Sequence, residues 1–540
     1  MSTVTAPRAG AREWIGLAVL TCPALLIGLD FTVLHLVIPH LAVELRPSSV
    51  EMLWIVDIYG FVIAGMLIPM GALGDRIGRR RLLLIGSVLF ALASVATAYA
   101  TNPAMVIAAR ALLGLTGATL MPATLALVTN LFRDDTQRRL AIAVWSTALS
   151  IGNAAGPVVG GAMLEHFWWG SVFLLALPVM AVMLVLTPMV VPEYKDAEAT
   201  GRIDMTSVGL LMTSLITIVY GIKEIAKSGV GLVPLAAIAV GIVVGVIFLR
   251  RQGKLPDPLL DLALFARRRF SVNIGAQLVS LFALGAFQFF LMLYLQMVLG
   301  LSPLKAGMWT LPGMLAGVVG ALLGPVFTRK FTPSQVITGG LAVGAAGLGF
   351  AIWAVQGLVP VVIAFVVTNL AINVVWALSY DQIMSAAPPE RAGTASGAAE
   401  TGNELGIALG VALSGSLGTA VYHATVSGSL PAGLSPRDAG TAADTLAGAV
   451  SLAERLPEEV ATRVLDVARD AFTTGMRFTT AMLALLMAGM AITVGVLLRG
   501  RSGDGEPADA GAEDAAPAKG DAAKSDTAAR GDTAPEQSAR

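Results

Sequence analysis

The chain has 540 residues, 56% of them hydrophobic and 13% charged, with 36 basic residues against 36 acidic ones and a mean hydropathy of +0.76. This composition excludes an ordinary soluble domain and puts most of the chain in a lipid bilayer. Cys22 is the single cysteine and there are four histidines, which excludes an intrachain disulfide and argues against a metal centre or a redox cofactor.

A membrane-crossing helix takes roughly 20 apolar residues. Candidate segments begin near Trp14, Met52, Leu82, Ala104, Leu140, Ser171, Thr206, Gly231, Ser271, Pro303, Val336, Leu358, Ala392 and Phe478, which predicts an all-α membrane protein with fourteen spans. Arg8 and Arg12 precede the first apolar run, as in a secretory signal. The run from Trp14 to Pro39 is longer than a signal core of roughly 7–15 residues and no small-residue cleavage pattern closes it, so it reads as span 1 after a short stretch, 1–13.

Basic residues cluster after the even-numbered spans. They are Arg76, Arg79, Arg80 and Arg81; Arg133, Arg138 and Arg139; Lys195 and Arg202; the group from Arg250 to Arg269; Arg329 and Lys330; and Arg391. The short connections of the other parity offer Arg46, Lys223, Lys227 and Lys305. The positive-inside rule then puts both termini in the cytoplasm of a multi-pass cell-membrane protein. The triplets Arg79-Arg80-Arg81 and Arg267-Arg268-Arg269 stand beside span ends, so they read as topological anchors and no nucleic-acid partner is expected.

Two longer connections, 192–205 of mixed charge and 251–270, bracket spans 7 and 8, which suggests an inserted pair, 206–250, between six-helix halves at 14–191 and 271–498. A faint internal echo agrees: Gly71-Ala72-Leu73 with Arg79-Arg80 after span 2, and Gly320-Ala321-Leu322 with Arg329-Lys330 after span 10. Two related halves rocking about a central site is a common transporter plan. Between spans 13 and 14, Ser435-Pro436 and Leu456-Pro457-Glu458-Glu459 look like helix starts. Val460, Val464, Val467 and Ala471 then repeat at helical spacing, predicting an extracellular helical hairpin over 423–472, as a packing cap or an exit gate. Residues 499–540 have almost nothing to bury and are expected as a disordered cytoplasmic tail.

The residues that carry chemistry are acids inside spans. Asp30, Asp57, Glu400 and Glu404 stand where a charge costs about 2.5–3.5 kcal/mol on insertion scales, so each is a candidate for proton or cation binding in a cavity. Arg110 in span 4 lies at a depth from which it can pair with either aspartate. Glu400 and Glu404 are at i and i+4, stacked on one helix face, where two charges together are unfavourable and exchange of a proton for a cation is natural. Asp381, near the end of span 12 and close to Arg391, and His35, five residues after Asp30, are secondary candidates. Aromatic walls for a greasy cation are available at Trp145, Phe287, Phe290, Tyr294, Trp309, Trp376 and Tyr380.

Two glycine patterns complete the set. In Gly71-Ala72-Leu73-Gly74-Asp75-Arg76-Ile77-Gly78-Arg79, the glycines allow close approach while Asp75 and the arginines can make charge-assisted bonds in one conformation only, a conformational latch. Gly152, Gly156 and Gly160 recur every four residues, with Pro157 and Gly161 beside them, a face that brings helices into contact.

Taken together, Leu29-Asp30-Phe31-Thr32, the Gly71-to-Arg81 turn and the Gly152-to-Gly161 stretch resemble the major facilitator superfamily, and within it the fourteen-helix drug:proton antiporters that export quaternary ammonium compounds and other lipophilic cations. The resemblance runs from about Trp14 to Leu498 and implies the major facilitator fold, with the turn as its loop 2–3 signature and the Gly152 stretch as its antiporter signature. Asparagine usually stands where this chain has His35, and the arginine and asparagine usual near the start of span 6 are missing from Trp168-Trp169-Gly170-Ser171. The implied function is proton-coupled export of cationic or lipophilic small molecules by a monomer in the bilayer, without enzymatic activity. Two alternatives stand beside it: a dedicated exporter of one endogenous antibiotic, and a membrane sensor or part of an ATP-driven complex. The last meets no nucleotide-binding motif in this chain.

Overall fold

The computed structural model describes residues 9–132, 134–195, 204–255, 258–388, 392–431 and 434–498. The tail at 499–540, the middle of the 192–205 connection with Arg202, and Arg391 lie outside the described residues. Within the described residues the chain is helical and carries no strand.

The first half comprises α1 (Ala11–Leu45), α2 (Ser49–Ile77), α3 (Arg79–Ala98), α4 (Pro103–Leu131), α5 (Asp135–His166) and α6 (Ala176–Val190), the last preceded by a 3-10 turn, Trp169–Leu175. Then come α7 (Met205–Ser228) and α8 (Leu232–Gln252). The remainder comprises a short α9 (Leu262–Ala266), α10 (Arg268–Leu293), α11 (Pro303–Phe327), α12 (Pro333–Ala354), α13 (Leu358–Ala386), α14 (Ala392–Ser427), α15 (Pro436–Asp444), α16 (Leu446–Ala453) and α17 (Glu458–Leu497). Fourteen helices are long and apolar enough to cross a membrane, matching the predicted spans in order. In hydrocarbon every backbone polar group must be satisfied within its own segment, which is why these apolar runs are helices.

Their starts follow from local chemistry. At the head of α2, Glu51 N–H donates to Ser48 Oγ at 3.3 Å while Ser48 N–H donates to Glu51 Oε2 at 2.9 Å, a reciprocal cap. Asn102, Ser302 and Thr332 cap helices whose first residue is proline, where the missing N–H costs nothing.

Long packed pairs fix the architecture: α1 along α5, α2 along α4, α11 and α12 along α13, and α12 along α17. Two seams join the halves, α2 against α14 and α5 against α11. The α7–α8 pair packs on itself, and α7 also touches α2 and α14, so the pair stands beside the first seam. Its outward side chains, among them Leu232, Val233, Ile242 and Val243, are exposed, as a lipid-facing surface requires.

The region after span 13 differs from the predicted hairpin. α14 runs on to Ser427, two short helices follow, and α17 then continues unbroken for 40 residues, so the second expected arm and span 14 are one helix. No proline or helix-breaking loop separates Glu458 from Phe478, and Val464, Ala468 and Ala471 stay buried along the same stripe as the span below. Tyr422 Oη donates to Ala442 O at 2.8 Å and ties α15 to α14.

Candidate functional site

Asp30 sits inside α1, and the α5 glycines set the register of that helix. A side chain at Gly152 would collide with the Leu25 carbonyl, and one at Gly156 with Thr32, so α5 lies backbone to backbone on α1 on both sides of Asp30. Thr32 Oγ1 donates to Asn153 O at 3.1 Å in the same contact. The reverse edge of α5 meets the other half: Gly161 faces the Leu304 backbone, and Gly307 of α11 faces Pro157. One helix therefore links the Asp30 register to the opposite half.

Asp30 Oδ2 is 3.2 Å from Arg110 Nη1. The Arg110 Nε also donates to Ile55 O at 3.4 Å, and its guanidinium lies 4.4 Å from the centre of the Tyr59 ring. The arginine is thus held by a carboxylate, a carbonyl and an aromatic face, a set only a planar guanidinium satisfies together. Asp30 also borders a narrow cleft with Phe90, Ser94 and Phe173.

The other aspartate has a different partner. Asp57 Oδ2 is 2.8 Å from Lys223 Nζ, and both side chains are fully buried. Lys223 Nζ also lies 4.0 Å from the centre of the Trp54 ring. Of the two aspartates open to Arg110, the structure gives it Asp30. One expectation is corrected here: Lys223 belongs to the interior face of α7 rather than to an external connection. The lysine is five residues before the end of its helix, where hydropathy alone reads a loop, and its burial comes from α2 and α14 lying across it.

Glu400 and Glu404 are both on α14. Asn403 Nδ2 donates to Glu400 Oε2 at 3.1 Å, and Asn403 Oδ1 accepts a short hydrogen bond from Gln277 Nε2 of α10. Glu404 is 6% exposed, its Oε2 has no hydrogen-bond partner, and no basic side chain pairs with it among the described residues. It stands on the seam: its own carbonyl and Ala408 face Gly60 of α2, and Thr401 Oγ1 donates to Ala64 O at 3.5 Å. Tyr59, stacked on Arg110, immediately precedes Gly60, the residue that meets the Glu404 carbonyl and Ala408 of α14. The structure thus joins Asp30, Arg110 and Tyr59 in one cluster, next along α2 to the seam residue Gly60 that faces the Glu404 backbone.

The secondary candidates fall outside these charge pairs. His35 is buried, with Nδ1 3.2 Å from Phe31 O and Nε2 without a partner among the described residues. Asp381 is an exposed residue of α13 contacted by Gln382 at 3.4 Å. Of the proposed aromatic walls, Trp309 is exposed on the bundle surface, Phe287 packs on Phe365, Phe290 on Phe472, and Trp145 donates to Thr124 Oγ1 at 3.3 Å. Trp376 and Tyr380 stack with ring centres 6.1 Å apart, and Tyr380 is within electrostatic reach of Glu400. The rings that touch the charged groups are Tyr59 and Trp54, both visible in Trp54-Ile55-Val56-Asp57-Ile58-Tyr59, where only Trp54 is at helical spacing from Asp57.

In the turn between α2 and α3, Arg79 Nε donates to Asp75 Oδ1 at 2.8 Å and Arg79 Nη1 to Pro122 O at 3.4 Å. Glu193, from the stretch after α6, accepts the backbone N–H of Arg80 at 2.8 Å and of Arg81 at 3.2 Å, capping α3. Gly78, at φ +107°, leaves the space that this carboxylate fills. Glu193 was missed because it is 113 residues from its partner. Asp204, at the head of α7, is bound by Arg251 Nε at 3.1 Å and Nη2 at 3.0 Å, which holds its carboxyl down at about 2. At the end of the bundle that carries α15 and α16, a cavity of about 850 Å³ is lined by Arg46, Glu51, His423, Arg437, Asp444 and Arg455.

Comparison with known proteins agrees with the fold. The family model described as Major Facilitator Superfamily matches residues 20–411. The chain is 43% identical over 499 residues to the multidrug efflux pump LfrA of Mycolicibacterium smegmatis, covering 92% of this chain and 98% of that one. It is 35% identical to the methyl viologen resistance protein SmvA of Salmonella typhimurium, over 89% of this chain and 98% of the relative. Identity to the tetracenomycin C resistance and export protein of Streptomyces glaucescens is 30%, over 89% and 91%. Among solved structures, a bacterial homologue of the human lysosomal transporter Spinster, inward-facing and unoccupied, superposes with a TM-score of 0.62 at 18% identity, over 90% of this chain and 99% of that one. At that identity the likeness speaks for the fold.

Proposed function

The chain belongs to the Major Facilitator Superfamily, and from that premise we infer that this multi-pass membrane drug exporter carries lipophilic organic cations outward in exchange for protons, by alternating access. The observation that carries the coupling is Glu404, a buried acid without a basic partner among the described residues, on the seam where the two halves meet. A bare carboxylate in a low-dielectric site costs several kcal/mol, so it needs either a proton or a cationic cargo as its counter-charge. That mutual exclusion is the exchange step. Glu400, one helical turn away and held by Asn403, makes double ionisation of the pair unfavourable.

Asp30 is the second acid of the cycle. Its counter-charge is Arg110, so a proton taken by Asp30 frees the guanidinium, which lies on Tyr59, the residue before the Gly60 contact with α14. Protonation on one half is thereby felt on the other, and the α5 contacts from Gly152 to Gly161 supply the mechanical link. The end carrying Arg76 to Arg81 is assigned to the cytoplasm and the end carrying α15 and α16 to the outside, with the Asp75–Arg79 turn as the latch. The protein works as a monomer. Exchange of two protons for one monovalent cation adds about 2.3 kcal/mol per 100 mV to the driving force.

Everted vesicles test this. Ethidium uptake driven by an imposed proton gradient is expected in the wild type and lost in Glu404→Gln, with the variant inserted at the same level. Gradient-driven uptake of wild-type rate and pH dependence by Glu404→Gln refutes the assignment. The relative named as a tetracenomycin C resistance and export protein favours a second reading, dedicated export of one endogenous antibiotic or metabolite. Growth protection against a panel of unrelated cations separates the two.

A further inference from the structure

The inserted pair α7–α8 contributes one charged group to the interior, Lys223, and its surroundings have the composition of a cation site. The ammonium contacts a carboxylate oxygen of Asp57 at 2.8 Å and lies 4.0 Å from the centre of the Trp54 ring. Asp57 Oδ1 has no hydrogen-bond partner among the described residues. A carboxylate beside an indole face is the chemistry that recognises organic ammonium groups. Packing does not account for the pair, because a hydrophobic pair of the same volume is as stable or more so.

We propose that Asp57 and Trp54 form a second cation seat, that Lys223 is its resting occupant, and that a lipophilic organic cation displaces the lysine ammonium during transport. The idea rests on the export reading above and adds a subsite to it. The position of Lys223 suits a removable occupant. α7 is peripheral, and its contacts with α2 include Met212 against Gly65, Val219 in the cluster with Phe61, and Lys223 itself. The lysine stands five residues before the end of its helix, so its four-carbon stem can carry the displaced ammonium to the nearby water interface. α14, which bears Glu404 and Ala408, packs on the same surface, with Phe61, Val219, Ala408 and Ala412 forming one buried cluster. Filling or emptying the seat therefore acts directly on the seam.

Equilibrium binding of ethidium to the purified protein in nanodiscs tests the seat. Lys223→Met removes the tethered competitor and is expected to bind about tenfold more tightly than wild type, the effect of gaining one cation–π and carboxylate contact without competition. Lys223→Arg is expected to bind as wild type does, and Asp57→Asn/Lys223→Met to lose the gain. A lysine that merely locks helices together predicts weaker or unchanged binding in Lys223→Met, and either result overturns the proposal. Wild-type protein gives a readout independent of the variants' folding: reductive methylation of Lys223, followed by mass spectrometry, is expected to rise severalfold under saturating tetraphenylphosphonium. Unchanged labelling also overturns it. Proton-driven ethidium flux by the wild type in the same preparation checks the export reading, so a failure of the seat is told apart from a failure of export.

Discussion

Replacing Arg110 by methionine removes the counter-charge of Asp30 and leaves the rest of the packing nearly unchanged in volume. The arginine side chain is 3% exposed and the aspartate 14%, so the abandoned carboxylate is left largely desolvated beside the narrow cleft lined by Phe90 and Phe173. Breaking a buried pair by removing one member costs about 3–5 kcal/mol. The partial exposure of Asp30 puts this case at the lower end, about 3 kcal/mol. Loss of the Tyr59 contact adds about 0.5–2 kcal/mol. With an unfolding entropy near 2.1 cal/mol/K per residue over a folded body of this size, each kcal/mol moves the melting temperature by about 1 °C, and by more where helices survive in detergent. Arg110→Met is therefore expected to melt at least about 3 °C below the wild type, followed by size-exclusion chromatography of heated samples. The double variant Asp30→Asn/Arg110→Met, with no orphaned charge, is expected to regain most of that loss. A single variant as stable as the wild type, or a double variant no better than the single, refutes the claim that the two groups are a desolvated pair.

Three further outcomes follow from named contacts. Asp30→Asn, which keeps an acceptor for Arg110, is expected to fold and insert normally but to stop ethidium export from cells; normal export removes Asp30 from the cycle. Gly161→Leu puts a side chain where the Leu304 backbone lies 2.6 Å from a bare Cβ, so α5 and α11 are pushed apart at about 1–3 kcal/mol and export falls at unchanged expression. Export at the wild-type rate contradicts a tight α5–α11 closure. Asp204 is held near 2, below the ordinary carboxylate value of about 3.9, so its tie to Arg251 is fully present above the ordinary value and is lost only as pH falls through about 2. Asp204→Asn is accordingly expected to lower the melting temperature by the same small amount at every pH from mildly acidic to mildly alkaline; a loss that varies across that range means another group titrates with the pair.

Glu400 and Glu404 bear on how far the chain's acids constrain its chemistry. The sequence marks four intramembrane acids, Asp30 deeper in its span than Asp57, and Glu400 and Glu404 stacked on one helix face. In the folded protein Asp30 belongs to Arg110, Asp57 to Lys223, Glu400 to Asn403, and Glu404 to none of the described basic groups. Charge alone marks a residue as expensive in a membrane; its partner decides whether the expense is structural or available for exchange.

Fourteen spans and the glycine spacing of α5 were legible from the sequence by itself, because hydropathy and helical periodicity are properties of a single segment and lipid leaves each segment no alternative to a helix. The membership of Lys223 in the interior, the cap that Glu193 places on α3, the Gly60–Ala408 contact between halves and the continuity of α17 through the expected hairpin were decided only by the tertiary structure. Each depends on which helices lie side by side, and those contacts join residues up to several hundred positions apart. A lysine near a helix end is a loop residue by composition, and it becomes a buried counter-ion only when α2 brings Asp57 and Trp54 across its path.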